Sequence, residues 1–238
     1  MEIKSKNIWC FAAHADDETL GCGGTINKLW RENTIYSTVF TNGVGARYLS
    51  GHEPIHKPAI LKEGEHEEAQ ERLKSWEKAQ KILGIKGGPF QVGNYLDNMM
   101  DQYPTLRVAK DVESCLEHMD PDIVFTHFRD DLNVDHQKVS EATYVALRPQ
   151  PGQKCKMILE YEIPSSTEYS QYNFNPNVFI DITDQIETKI EAFQQYEKEG
   201  RAYPHPRSIQ SIMNRAAYWG SCVGVNFAEA FVCRRMII

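Results

Sequence analysis

The amino-acid sequence predicts an α/β fold: a three-layer α/β/α Rossmann-like domain built on a mostly parallel sheet. Two observations carry this. Residues 8–13 form a continuous apolar run, Ile-Trp-Cys-Phe-Ala-Ala, which suits a central parallel strand covered on both faces. Further strand-like runs then alternate with longer helical segments, the pattern of a parallel sheet wrapped by helices.

The elements follow in order. A glycine-containing helix is expected over 18–31, and a β-branched, aromatic-rich strand over 34–41, ended by Asn42-Gly43. Residues 44–58 have no clear period and read as a loop. A long charged helix is expected over 61–83, stopped by Gly84, then a short strand over 90–92. Pro104 precedes a helix at 105–119, Asp-Ile-Val-Phe-Thr at 122–126 reads as a buried strand, and a helix follows at 135–146. A strand at 157–163 is stopped by Pro164. The last third predicts a strand at 178–182, a helix at 184–199, a helix at 208–219 and a closing strand at 230–234. Asp184 with Glu187 three positions on has the outline of a capping box. Without internal repeats or a dividing linker, residues 1–238 are expected to form a single domain, a length one α/β core accommodates.

Composition narrows the function classes. Hydrophobic residues make up 41% and charged residues 25%, and 26 basic against 33 acidic residues give a net charge of −7. That balance excludes the basic face duplex nucleic acid demands. The polar N-terminus and the short apolar run after it predict no export signal, and no apolar stretch reaches spanning length, so stable membrane insertion is not expected. The six cysteines, Cys10, Cys22, Cys115, Cys155, Cys222 and Cys233, form no Cys-x-x-Cys pair. They read as reduced thiols of a cytoplasmic protein. A homo-oligomer is compatible with the sequence.

In a parallel sheet of this kind ligands bind beyond the carboxyl ends of the strands, and two motifs fall there. The first is Ala13-His14-Ala15-Asp16-Asp17-Glu18. Burying so many carboxylates at a strand end is costly without a compensating cation. His14 and Asp17, three apart, can turn toward one ion where the chain enters a helix. Asp16 between them must point elsewhere, where it could hold the proton of a water. An acidic turn opening a helix is the competing reading, because Asp and Glu favour the first helical turn. The second motif, His127 to His136, is His-Phe-Arg-Asp-Asp-Leu-Asn-Val-Asp-His. His136 would complete a set of two imidazoles and one carboxylate, the three protein ligands typical of a catalytic zinc. Helix capping accounts for Asp135 but not for His127, Asn133 and His136 together.

Together the motifs resemble the LmbE-like or PIG-L-like N-acetylglucosamine deacetylases. The family's Ala-His-Pro-Asp-Asp-Glu stands here as Ala-His-Ala-Asp-Asp-Glu, with Ala15 for proline. Its His-x-Asp-His stands as Asn133-Val134-Asp135-His136. The resemblance implies a single Zn2+, or another divalent transition metal, held by His14, Asp17 and His136, with Asp16 as general base. The family's oxyanion-stabilising His maps onto Asn133, which donates a hydrogen bond but carries no charge; His127 is the alternative donor. Asp135 is expected to support His136 or its neighbours. Thr41-Asn42-Gly43 with Arg47 and Tyr95-Leu96-Asp97-Asn98 resemble family segments, as do His205-Pro206-Arg207-Ser208 and Ala228-Glu229-Ala230-Phe231. They nominate Arg47, Asp97 and Arg207 as substrate contacts. Without the resemblance, Arg47 reads as a solvated charge, Asp97 as a turn residue and Arg207 as a structural pair.

The implied reaction is removal of an N-acetyl group from a small amino-sugar-like substrate (free, nucleotide-activated or glycolipid), releasing acetate. Two alternatives stand beside it: an amidase for another acyl-amine such as a thiol conjugate, and a non-catalytic sugar-binding protein on the same fold. Gly21-Cys22-Gly23-Gly24 lacks phosphate-loop spacing and predicts close helix–sheet packing. His52, His56, His66 and His118 are expected in solvent, with a minor role open to His52 and His56 in a loop that could close over substrate.

Overall fold

The computed structural model describes residues 2–41, 43–45, 63–85 and 90–238. Its strands are β1 (Asn7–Ala12), β2 (Thr34–Thr41), β3 (Phe90–Tyr95), β4 (Ile123–His127), β5 (Met157–Tyr161), β6 (Val178–Asp181) and β7 (Ala228–Met236). They form one sheet in the order β3-β2-β1-β4-β5-β7-β6. The first five are parallel, and β7 runs antiparallel to both β5 and β6. The helices are α1 (Asp17–Leu29), α2 (Glu63–Leu83), α3 (Thr105–His118), α4 (Val134–Ala146), α5 (Ile186–Phe193) and α6 (Ile209–Val223).

The unbroken apolar run of β1 is explained by the two cores it separates. Ile8 and Cys10 face one side with Leu20, Ile26, Trp76, Leu83 and Phe193 from α1, α2 and α5. Trp9 and Phe11 face the other with Val108, Val112, Val139 and Ala142 from α3 and α4. Full burial of such side chains contributes about 1.5–3 kcal/mol each, so both faces of β1 must be apolar. The strand order reverses between β1 and β4, and that crevice is where the two acidic motifs emerge.

Gly21 and its neighbours pack helix against sheet. A Cβ on Gly21 would come within 2.3 Å of the Tyr161 ring. Cys22 breaks the helical conformation at φ −144°, ψ 20°. The freed amides of Gly24 and Thr25 donate to the Glu229 carboxylate at 3.0 and 2.7 Å, and Lys189 pairs with it at 2.6 Å. Glu229, drawn from the Ala-Glu-Ala-Phe segment, thus caps the second half of α1.

Boundaries agree with expectation to within a few residues except near α5. The helix expected over 184–199 is a 3-10 turn at Thr183–Gln185 followed by only eight α-helical residues. The Asp184/Glu187 capping box does not form: Gln185 occupies the cap position, and among the described residues no side chain caps it. Asp181 instead accepts from the Thr183 amide at 2.9 Å, turning the chain earlier. Most of the expected loop over 44–58, with Arg47, His52 and His56, lies outside the described residues. His66 and His118 are exposed.

Candidate metal and catalytic site

β1 ends at Ala12, and the chain turns tightly: the Asp16 and Asp17 amides both donate to the His14 carbonyl, at 3.0 and 3.3 Å. Thr41 at the end of β2 donates to the Ala13 carbonyl through its amide and its hydroxyl, both at 2.9 Å. Asp16 takes φ 157°, ψ −20°, a conformation that persists only where the surroundings impose it. It turns Asp16 away from its neighbours on either side.

His14 Nδ1, Asp17 Oδ2 and His136 Nε2 form a triangle with sides of 3.1, 3.2 and 3.4 Å. Bonds of about 2.0–2.2 Å to a tetrahedral ion place neighbouring donors about 3.3–3.6 Å apart, so the three atoms lie close to the spacing a zinc-sized ion requires. All three residues are buried, and Asp17 Oδ1 has no hydrogen-bond partner among the described residues. His14, Asp97 and Asp135 form a second close group around the opposite nitrogen of His14. There both Asp135 oxygens already accept backbone amides, from Asn98 at 2.6 Å and Met100 at 2.9 Å. Asp135 is a backing group.

Each imidazole of the triangle has a carboxylate behind it, the arrangement that fixes tautomer and ring orientation in metal sites. His14 Nε2 lies 3.0 Å from both Asp135 Oδ2 and Asp97 Oδ1. His136 Nδ1 lies 3.0 Å from Asp131 Oδ1. Asp135 therefore supports His14, not the His136 beside it in sequence. Consecutive helical residues project about 100° apart, so Asp135 cannot reach behind the adjacent ring. Asp131, in the loop before α4, can.

The electrostatics call for a cation. Burial opposes charge on His14, yet Asp17, Asp135 and Asp97 hold its pKa well above the ordinary value. Against the same penalty, Asp17 and Asp131 push His136 up to about 9. Burial would raise Asp17, but His136, His14 and His127 hold it well below the carboxylate range. Protons on these imidazoles and a bound metal satisfy the same excess of carboxylate, and metal binding displaces the protons.

His127 is fully buried and stacked on His136 at 4.1 Å. Its Nε2 accepts the Ala13 amide at 2.9 Å and lies 3.4 Å from Asp17 Oδ2. Burial and the neighbouring His136 hold its pKa well below the usual range, and Nε2, as the acceptor of an amide proton, carries none of its own. Asn133, half-buried, caps α4: Oδ1 accepts the Asp135 amide at 2.8 Å, and Nδ2 donates to Asn98 at 3.0 Å.

Asp16 is fully buried between two guanidinium groups. Arg72 donates to Oδ1 and Arg207 to Oδ2, both at 2.9 Å, and Glu199 joins the two arginines at 2.9 and 3.3 Å. Burial raises the Asp16 pKa while Arg72 and Arg207 pull it down; the net shift is upward. Gly43, at φ +68°, lets Arg72 lie against the backbone; a Cβ there would meet Nε at 2.9 Å.

The structure thus brings together His14, Asp16, Asp17, Asp97, His127, Asn133, Asp135, His136 and Arg207, while Arg47 lies outside the described residues. Arg72, Glu199 and Asp131 join the site from outside the residues the sequence motifs nominate. Arg72 did carry a signal: at positions 72, 76, 79 and 83 it shares the helical period of the buried Trp76, Ala79 and Leu83, a core position for a charge. Asp131 lies among the ligand-type residues of the second motif, where nothing in the spacing distinguishes it.

Comparison with known proteins finds the same fold in several solved structures. N,N'-diacetylchitobiose deacetylase from Pyrococcus horikoshii superposes with a TM-score of 0.73 at 23% identity, covering 97% of this chain and 84% of that one. A zinc-inhibited form of teicoplanin deacetylase gives 0.71 at 13% identity, over 96% and 98% of the two chains. The 4-carboxy-2-hydroxymuconate hydratase from Pseudomonas putida gives 0.69 at 18% identity, over 98% of both. At such identities these likenesses establish the fold. The profile described as "PIG-L: GlcNAc-PI de-N-acetylase" matches residues 9–147. That span covers more than half of the chain and contains the whole triangle, and the chain belongs to the PIG-L de-N-acetylase family.

Proposed function

We propose that this hydrolytic N-deacetylase is zinc-dependent and removes the acetyl group from an N-acetylated amino sugar or sugar-derived molecule, releasing acetate and a free amine. The observation that carries the reading is the donor triangle of His14, Asp17 and His136, backed by carboxylates, with Asp16 held apart beside it.

When bound, a zinc or similar divalent ion would lower the pKa of a water and polarise the amide carbonyl. Asp16 accepts the proton of the attacking water and returns it to the leaving nitrogen. Each of its oxygens keeps a lone pair beyond the one taken by an arginine. Its upward pKa shift brings it toward the range a general base needs. A guanidinium has donors and no acceptor, so the two arginines aim the carboxylate without competing for the proton. The side-chain Nδ2 of Asn133 donates to the developing oxyanion. His127, buried beneath His136, keeps that ring in place; it stands second to Asn133 as oxyanion donor. Asp135 holds His14. Asp97 and Arg207 face the substrate's hydroxyls or charge, with Arg47 as a further contact.

The fold-mates support the substrate class without naming the sugar: one is a deacetylase of diacetylchitobiose and others are deacetylases of teicoplanin and of the A40926 pseudoaglycone. The hydratase shows that the same fold serves other chemistry. The test is acetate release from a panel of N-acetylated amines (free, nucleotide-activated and lipid-linked sugars, and a thiol conjugate), with chelation and metal restoration by zinc, iron or cobalt. Acetate release that chelation abolishes and zinc restores supports the reading. No release from any member by metal-loaded protein would sink it, and restoration by iron or cobalt alone would overturn zinc.

A further inference from the structure

We propose that the turn following β5 braces the metal centre, with Ser166 and Thr167 as positioning residues that orient His136 through Asp131. The inference rests on the metal reading of the His14–Asp17–His136 triangle and goes one shell further out.

Asp131 is 1% exposed and is the carboxylate behind the outer nitrogen of His136. Four donors converge on it. Oδ1 accepts from His136 Nδ1 at 3.0 Å, from the Asn133 amide at 2.8 Å and from the Ser166 hydroxyl; Oδ2 accepts from the Thr167 hydroxyl at 2.5 Å. Thr167 has no freedom in this. Its oxygen already accepts the Ile163 amide at 2.7 Å, so its single proton is left to point at Asp131.

The turn is itself held in an unfavourable shape. Ser165 sits at φ +71°, which a non-glycine residue adopts at a cost. Glu168 compensates by accepting the Ser165 and Ser166 amides at 2.9 and 3.0 Å, and Arg215 anchors Glu168 at 2.9 Å. On its other side the turn receives Arg207, whose Nε donates to Ser165 Oγ at 2.8 Å while its Nη1 holds Asp16. One strained turn therefore touches the support of a metal ligand and the support of the base. Apolar side chains would fill the same space; two hydroxyls aimed at one buried carboxylate serve to fix its direction.

The test is zinc affinity of the full chain, measured by competition with a chromophoric chelator, beside thermal unfolding of the metal-free protein. Removing an outer-shell partner typically costs 10–100-fold in metal affinity. Thr167→Val, which keeps the shape and loses the hydroxyl, and Ser166→Ala are each expected to weaken zinc binding by about tenfold. Thr167→Ser, which retains both hydrogen bonds, is expected to bind within about twofold of the parent. Should the valine variant fail to fold, Ser166→Ala against Thr167→Ser carries the same comparison. Parental zinc affinity in folded Ser166→Ala and Thr167→Val proteins would overturn the brace and leave the deacetylase reading intact. An unmodified chain that takes up no zinc would overturn the zinc reading itself, before any variant is compared.

Discussion

Replacing Arg72 by Met puts the buried charge network to the test. Arg72 lies on the core stripe of α2 with a side chain only 10% exposed. It donates to Asp16 Oδ1 at 2.9 Å, Glu199 Oε1 at 2.9 Å, the Gly43 carbonyl at 2.7 Å and the Ala15 carbonyl at 3.2 Å. Arg72 and Arg207 balance Asp16 and Glu199; without Arg72, one buried negative charge is left over. At an effective dielectric near 20, charge centres about 4 Å apart attract by about 4 kcal/mol. Breaking a buried pair from one side costs about 3–5 kcal/mol. Arg72→Met is therefore expected to lose about 3–5 kcal/mol in urea unfolding, with a Tm fall of roughly 6–20 °C at this chain length. Glu199→Gln in that background restores neutrality and should recover part of the loss, a negative coupling that a double-mutant cycle reads directly. A loss under about 1 kcal/mol for Arg72→Met would refute the charge-balance argument. So would strictly additive losses in the double variant.

Other expectations follow from the same geometry. His136→Ala should lose bound metal by elemental analysis; equal metal content in parent and variant would remove His136 from the ligand set. Asp16→Asn should keep its metal while kcat falls by about 10²–10⁴-fold, a larger drop than from Asn133→Ala. Near-normal turnover would mean another base. Asp97→Ala should raise KM with little change in kcat if it binds ground and transition states alike; loss of metal instead would confine it to backing His14. Glu160 is fully buried under α4, and burial raises its pKa to about 7 against Arg234 and Tyr144. The folded state then holds that proton more tightly than the unfolded chain. Its stabilising contribution is full below the ordinary glutamate value and is lost as pH rises through about 7. Glu160→Gln should accordingly gain stability over the parent as pH goes from about 5 to 8, reaching about 2–3 kcal/mol. A pH-independent difference would show that Glu160 does not titrate in that window.

Much of the fold was legible because it rests on local pattern. The apolar run at β1, the β-branched run at β2 and the glycine-bounded helices each announce themselves within a few residues. The capping box at Asp184 failed for the opposite reason. Its spacing was correct, but Asp181 had already turned the chain, and a capping motif acts only if the helix starts where the motif stands.

The sequence by itself nominated the three donors His14, Asp17 and His136. His14 and Asp17 are neighbours across one turn, His136 opens a helix after a buried strand, and parallel strands end on one side of the sheet. Tertiary structure alone decided what stands behind those donors. Asp135 reaches His14 across 121 residues, Asp131 reaches His136 around a loop, and Arg72 comes 56 residues along the chain to Asp16. No spacing rule encodes such pairings, because they depend on which helix face meets which strand end. A charge at a buried helical position marks the need for a partner, and only the packed fold says which one.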